Sequence, residues 1–287
     1  MIKKVLVTGA NGQLGNELQA ISSHFPSLQI LFTGRNELDI TDKNAVEKYF
    51  ESNTPQIVIN CAAYTAVDKA ESEPEKGQLI NVTATGYLAD ACRHLNIPFI
   101  HISTDFVYDG KKSQPYLETD AVNPLGVYAK TKLEGEQLAL QKHKKTIVIR
   151  TSWVYSSFGN NFVKTMLRLG KEKTELRVVN DQTGSPTYAR DLADTILKIT
   201  LLCEAINQYG IFHYSNEGAI TWCEFAKSIL ELNGIETPVH PITTQEFPTP
   251  AQRPAYSVMS KEKIIKTFGI RPLPWKQSLA ECLKLIP

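Results

Sequence analysis

No sign of charge dominates this chain: 31 basic and 30 acidic side chains leave a formal net charge of +1. That near-balance excludes a global field able to gather nucleic acid or an anionic membrane surface, so an anionic ligand must be held by a local site. Long hydrophobic runs are missing too, with no stretch near the ~18 apolar residues of a membrane helix. The segment 1–9 carries two lysines and a short apolar run before glycine, too little for the hydrophobic region of a signal peptide. Cysteines are few: the five, Cys61, Cys92, Cys203, Cys223 and Cys282, never form a C-x-x-C pair. Odd in number and scattered, they argue against a disulfide framework or a structural zinc site and for a reducing, cytoplasmic setting. Internal repeats and low-complexity segments are absent as well.

What is present is enough apolar sequence, 42% of 287 residues, to bury the core of one large domain or of a main domain with a smaller lobe. Short apolar runs at 4–7, 29–33, 57–61, 99–103 and 146–150 alternate with amphipathic stretches. Buried strands separated by helices at this spacing predict right-handed βαβ crossovers. The expected fold is therefore α/β: a Rossmann-type, doubly wound parallel sheet. Ligands of such sheets bind beyond the carboxyl ends of the strands. Residues 1–150 form the expected dinucleotide-binding domain. Residues 151–287 form mainly a smaller mixed α/β lobe for substrate, with elements near 187–216 returning to the sheet. In that half the pattern predicts helices at 161–171, after 187 and at 221–232, strands at 176–179 and 211–214, and a proline-rich stretch at 238–254.

Directly after the first strand stands Gly9-Ala10-Asn11-Gly12-Gln13-Leu14-Gly15, followed by an amphipathic helix over 16–22. Glycines belong where the backbone turns tightly, approaches a pyrophosphate and packs helix on strand, and the helix N-terminus supplies free N–H donors to the anion. About 20 residues further on, where an acidic residue would hold the ribose of NAD, the chain has Thr33-Gly34-Arg35. Arg35 is either a fork of donors for a 2′-phosphate, which favours NADPH over NADH, or a solvated surface arginine.

Tyr128-x-x-x-Lys132 lies in a helix-prone stretch, so phenol and ammonium are i, i+4 neighbours on one face. A tyrosine with a pKa of about 10 is a poor acid or base near neutrality, and a nearby cation should lower it towards the working pH. At the end of the fourth strand come Ser103-Thr104-Asp105, where a hydroxyl can polarise a carbonyl under reduction. Asp105 is either a loop cap or a ligand of substrate hydroxyls. The constellation predicts proton delivery by Tyr128 alongside hydride transfer from a nicotinamide, with no metal.

The G-x-x-G-x-x-G spacing with Tyr-x-x-x-Lys resembles the extended short-chain dehydrogenases and reductases. That resemblance implies that Asp39 and Ile40 lie on the adenine side, that Cys61, Ala62, Ala63 and Tyr64 form a loop passing close to cofactor, that Lys132 holds the nicotinamide ribose, and that Thr104 is the family's catalytic hydroxyl. Asn81 falls where many of these enzymes carry a structural or relay asparagine. Longer segments, Ala62–Glu71, Ser103–Tyr108, Arg150–Tyr155, Gly159–Phe162, Asn180–Thr187 and Ala251–Pro254, are similar to the dTDP-4-dehydrorhamnose reductase family nearly end to end. Phe106 and Tyr108 exchange the commoner order of those aromatics.

The substrate this implies is dTDP-4-dehydro-β-L-rhamnose, a nucleotide sugar, reduced at C4 for surface polysaccharide. Thr104, Asp105 and Trp153 match positions that touch it, and Asn161, Lys164 and Arg253 are candidates for its diphosphate or base. Trp153 offers a flat face to a sugar or fills core. Some relatives bind magnesium through glutamates at a dimer interface. Glu17 matches the first of these, but Arg190, beside Asp191, stands where the second is expected, so the Mg2+ site is not carried over. The expected protein is a monomer or homodimer with no nucleic-acid or membrane partner. Two other readings of the same fold are a nucleotide-sugar epimerase or dehydratase and a non-catalytic NADP-binding regulatory subunit.

Overall fold

The computed structural model describes residues 2–286. Six strands, β1 (Lys3–Thr8), β2 (Leu28–Thr33), β3 (Ile57–Asn60), β4 (Phe99–Thr104), β5 (Thr146–Thr151) and β6 (Gly210–His213), form one sheet in the order β6-β5-β4-β3-β1-β2. Every pairing in it is parallel. The strands are continuous apolar runs because helices cover both faces. Val5 and Val7 point into one core with Leu14, Leu18, Leu192 and Ile196, from α1 (Gln13–Ile21) and α6 (Ala189–Ile206). Leu6, between those valines, points the other way, to Val46, Phe50 and Leu88 of α2 (Lys43–Asn53) and α3 (Ala84–Leu95).

This is the doubly wound sheet expected from the sequence. From β1 the chain first lays β2 on one side and then β3 to β6 on the other, so the switch point lies between β1 and β3. A crevice therefore opens beyond Thr8 and Asn60. The late elements α6 and β6 pack on this sheet, with β6 pairing β5 from Gly210 opposite Ile147 to His213 opposite Arg150.

A second core gathers α5 (Phe162–Glu172), α7 (Trp222–Leu232) and α8 (Trp275–Leu283) around Val163, Met166, Phe225, Ile229 and Leu279. The proline-rich stretch supplies a strand, Val239–Ile242, parallel to Leu176–Val179. Thr221 and Glu224 form a reciprocal capping box that fixes the start of α7.

Two departures from the sequence pattern bear on the site. Helix α1 starts at Gln13, so Gly15 is helical and a Cβ there would stand 2.5 Å from the carbonyl oxygens of Gly9 and Ala10. Before α3 the chain makes a π-helical turn, Gln78–Thr83, a widening common at functional positions. It seats against α4 (Val127–Lys142), where a Cβ on Gly135 would lie 2.1 Å from the Asn81 carbonyl oxygen. Gly135→Ala should therefore push α4 off this turn and cost ~1–3 kcal/mol as overpacking. Thermal unfolding should show it as a lowered Tm, whereas an unchanged Tm would show that the contact yields.

Candidate active site

The crevice is a cleft of about 510 Å³ lined by the glycine turn, the ends of β3 to β5, the start of α4 and an aromatic wall from the second core. Gly9 turns the chain at φ 72°, and a Cβ there would meet the Ala62 nitrogen at 2.5 Å, so only glycine lets β1 pass so close to the loop after β3. Gly12 is different: its φ is −79° and the space around it is open, the first atom a Cβ would meet being the Gly9 oxygen at 3.4 Å. No side chain caps α1, and no acidic residue lies in its first turn. Its leading N–H groups are thus left to a ligand, and the partial positive charge of the helix end favours an anion. Open backbone at Gly12 beside uncapped donors fits a dinucleotide pyrophosphate.

The chemistry-bearing side chains meet at the far end of the same cleft. Thr104 closes β4, Tyr128 and Lys132 come one turn apart from α4, and Asp105 follows Thr104. Phe106 packs edge-on against the Tyr128 ring with centroids 5.9 Å apart. Lys132 is 2% exposed and its Nζ donates to the Ile102 carbonyl at 2.7 Å. Burial lowers its pKa to about 8, against the opposing pull of the Glu136 carboxylate. Tyr128 is not lowered towards neutrality, as the sequence led us to expect. Burial raises it to about 12, the Thr104 hydroxyl pulls the other way, and Asp105 and Glu136 add to the rise. The expectation weighed one cation and left out the desolvation and the two carboxylates that the fold brings near.

Asp105 is buried with its Oδ2 unpartnered. Desolvation raises it to about 7, with hydrogen bonds from Ser257 and Thr104 resisting. The carboxyl can therefore accept or donate a hydrogen bond to a hydroxyl in the cleft. Its titration has a stability signature. The folded pKa is raised from 3.8 to about 7, so stability is fully present below pH 3.8 and is lost as pH climbs through 7. Asp105→Asn should escape that loss, ending more stable than wild type at pH 8 by an amount on the order of 4 kcal/mol, with the gap closing below about pH 4. Urea unfolding at the two pH values checks it, and a gap that does not change with pH would refute it.

Of the other residues singled out in the sequence, Gln13, Leu14, Gly15, Cys61, Ala63, Trp153 and Asn161 line the cleft. Trp153, at φ 47°, stacks on Trp222 with centroids 3.5 Å apart, so one of its faces is already covered. Asn161 caps α5 and donates to the Gln13 side chain at 2.9 Å. Asn81 is a structural clamp: it accepts from the Tyr64 backbone at 2.8 Å and donates to Thr131 at 3.0 Å. Burial keeps the Cys61 thiol protonated, pushed up to about 12.

The rest lie off the cleft. Ala62 donates its N–H to Asn60 at 3.1 Å, and Tyr64 turns its hydroxyl to Glu73. Asn11 lies over Gly34 at the end of β2. Beside it Arg35 is exposed and pairs with Asp39 at 3.4 Å, while Ile40 is buried in the core. Glu37 accepts from the Gly34 N–H at 2.8 Å and places a carboxylate next to Arg35. Lys164, in the first turn of α5, does not line the cleft. Arg253 is held by a bidentate pair to Asp68, at 3.1 and 2.8 Å. Glu17 is buried and bound by Ser156 at 2.6 Å and Arg190 at 2.9 Å, so a guanidinium already neutralises it.

Sequence reasoning missed Glu136, and it named Ser103 and Arg150 only within longer motifs, without the bonds they make to it. Glu136 lies one turn past Lys132 and accepts from Arg150 Nη2 at 2.7 Å and from the Ser103 hydroxyl, all of it buried. Its spacing after Tyr128 and Lys132 is the signal that would have found it.

Sheet, glycine turn and Tyr-Lys pair define a nicotinamide-dependent oxidoreductase of the extended short-chain dehydrogenase type. Within that class the chain belongs to the family described as RmlD substrate binding domain, whose model it matches over residues 3–286. It is 42% identical to dTDP-4-dehydrorhamnose reductase of Aggregatibacter actinomycetemcomitans, covering 96% of this chain and 97% of the relative. It is 43% identical to the spore coat polysaccharide biosynthesis protein SpsK of Bacillus subtilis, over 98% and 97% of the two chains. Among solved structures, dTDP-4-dehydrorhamnose reductase of Bacillus anthracis in complex with NADP superposes with a TM-score of 0.94 at 38% identity, covering 99% of each.

Proposed function

We propose that this chain is a cytoplasmic reductase that converts dTDP-4-dehydro-β-L-rhamnose to dTDP-β-L-rhamnose with NADPH, in the making of an activated sugar for surface polysaccharide. The observation that carries it is the meeting of Thr104, Tyr128 and Lys132 at one end of a cleft whose other end is an uncapped helix N-terminus behind an open Gly12. The names of the full-length relatives point to the same substrate, and the NADP complex of one structural neighbour points to the cofactor.

When bound, NADPH supplies the hydride for the ketone carbon. Gly9, Gly12 and the N–H groups at the start of α1 hold its pyrophosphate. Thr104 donates a hydrogen bond to the ketone oxygen, and Tyr128 gives that oxygen its proton. Reduction requires the phenol to be protonated at the outset, and the upward shift of Tyr128 to about 12 keeps it so at neutral pH, while it stays acidic enough to protonate an alkoxide. Lys132 holds the nicotinamide ribose. Trp153 and Trp222 wall off the sugar from water, and Asp105 accepts a sugar hydroxyl.

The test is to generate the keto sugar enzymatically in the cuvette and follow the loss of NADPH absorbance. Wild type should consume NADPH only when sugar is present. Tyr128→Phe should lower kcat by about 10²–10⁴ while still binding NADPH. No consumption by a folded, NADPH-binding protein with verified substrate would sink the assignment. A second variant isolates the cofactor: Gly12→Ala has room for its methyl, so its unfolding free energy should stay within ~0.5 kcal/mol of wild type. Its NADPH affinity should fall roughly tenfold as the methyl fills the approach to the pyrophosphate. Equal losses in both would mean that Gly12 serves the fold alone.

A further inference from the structure

The buried polar chain behind Lys132 has its hydrogen-bond directions fixed from one end. Ala62 contributes a backbone N–H, which can only donate, to Asn60 Oδ1 at 3.1 Å, and the Thr8 hydroxyl donates to the same oxygen at 2.7 Å. The Asn60 amide is thereby oriented, and the atom it turns to His101 Nδ1, at 3.1 Å, is its NH2 group. Nδ1 must accept. A ring that accepts at Nδ1 and is neutral carries its single proton on Nε2. His101 is fully buried, and burial together with the Lys132 charge holds its pKa well below the ordinary value, so the ring stays neutral. Its Nε2 faces Lys132 Nζ at 3.5 Å.

We infer that His101, locked by Asn60 as the Nε2–H tautomer, is a positioning residue that aims a donor at the Lys132 nitrogen and so disfavours its ammonium form. An ammonium offers that N–H nothing to bond to, whereas a neutral amine offers a lone pair. The other groups facing Lys132 set the opposite balance. Glu136 on the same helix favours the ammonium, the Ile102 carbonyl accepts from it, and Cys61, from the loop after β3, stays a neutral thiol. His101 is the donor set against this carboxylate and this carbonyl, and it brings the proton affinity of Lys132 down towards the working pH.

This inference rests on the role given to Lys132 in the proposed reductase, so its test includes readouts that need no turnover. Nitrogen NMR of ¹⁵N-histidine-labelled protein should show His101 protonated at Nε2 and not at Nδ1 throughout the neutral range. In His101→Leu the opposing donor is gone. In Asn60→Leu the ring is free to move its proton to Nδ1 and accept from the ammonium at Nε2. Both changes should raise the Lys132 pKa by about one unit, read directly from the side-chain carbon and nitrogen shifts of labelled lysine. The alkaline limb of kcat should move up by the same amount. A loss of stability alone would lower activity without moving that limb. Protonation at Nδ1 in the wild type, or an unmoved Lys132 titration in both folded variants, overturns the inference. A Lys132 titration that moves as stated without any reductase activity leaves His101 in this role and removes the proposed reaction instead.

Discussion

The ion pair between Glu136 and Arg150 is the constraint from which the site takes its shape. Arg150, near the end of β5, reaches Glu136 with Nε at 3.1 Å from both carboxylate oxygens and Nη2 at 2.7 Å from one, and both side chains are almost fully out of water. Such a pair adds little net stability compared with well-packed apolar residues, because two desolvated charges cost nearly what their attraction returns. Its leverage is geometric. An unpaired half would be expensive, about 3–5 kcal/mol, so α4 can sit on the sheet only where the carboxylate meets the fork. With Glu136 fixed, Lys132 and Tyr128 follow at one and two turns along the same stripe. The pair extends across the sheet as well: Arg150 Nη1 donates to the Tyr108 hydroxyl at 2.8 Å, and that oxygen lies 2.8 Å from His213 Nε2 in β6. With Ser103 of β4 also donating to Glu136, α4, β4, β5 and β6 are thus registered against one another through polar atoms as well as through apolar packing, which would tolerate sliding.

A second set of bonds relates the second core to the glycine turn. Glu17, one turn into α1, binds Ser156 and Arg190, while Gln13 at the start of α1 accepts from Asn161. The segment that runs from β5 through Trp153 to α5 is therefore tied to the helix that holds pyrophosphate in the proposed enzyme. Trp153 is placed by the same segment, in a left-handed conformation that a bulky residue adopts only when its surroundings impose it. Its ring stacks on Trp222, and Gly184, where a Cβ would lie 2.5 Å from that ring, leaves it the room. In the proposed enzyme the aromatic wall and the glycine turn are thus positioned together, which is the preorganisation that a two-substrate hydride transfer needs.

Much of this was legible in the sequence because its signals are local. Buried parallel strands are unbroken apolar runs, the glycine turn is contiguous, and Tyr128 and Lys132 are helical neighbours. What was not legible depends on contacts made across the fold. Arg253 reads as a free cation for a diphosphate until Asp68, far away in sequence, is seen to hold both of its nitrogens. The carboxylate of Glu37 on the Gly34 amide, beside Arg35, is likewise a neighbour that spacing alone does not show. The π-helical turn at Asn81 has no composition of its own, and α4 can seat against its backbone only because residue 135 is a glycine.

The direction of the Tyr128 shift is the most instructive of these departures. From spacing alone, a neighbouring cation should make the phenol more acidic. In the folded chain the cation is itself buried and down to about 8, while the phenol has lost its water and faces two carboxylates. Acid and cation are therefore drawn together in proton affinity from opposite sides, the phenol upwards and the ammonium downwards. For a reductase this suits both tasks: the tyrosine holds its proton until an alkoxide develops, and the lysine keeps a charge that can respond when the phenol gives that proton up. Sequence spacing fixes which groups are neighbours, but the sign of their coupling is set by how much water the fold removes from each.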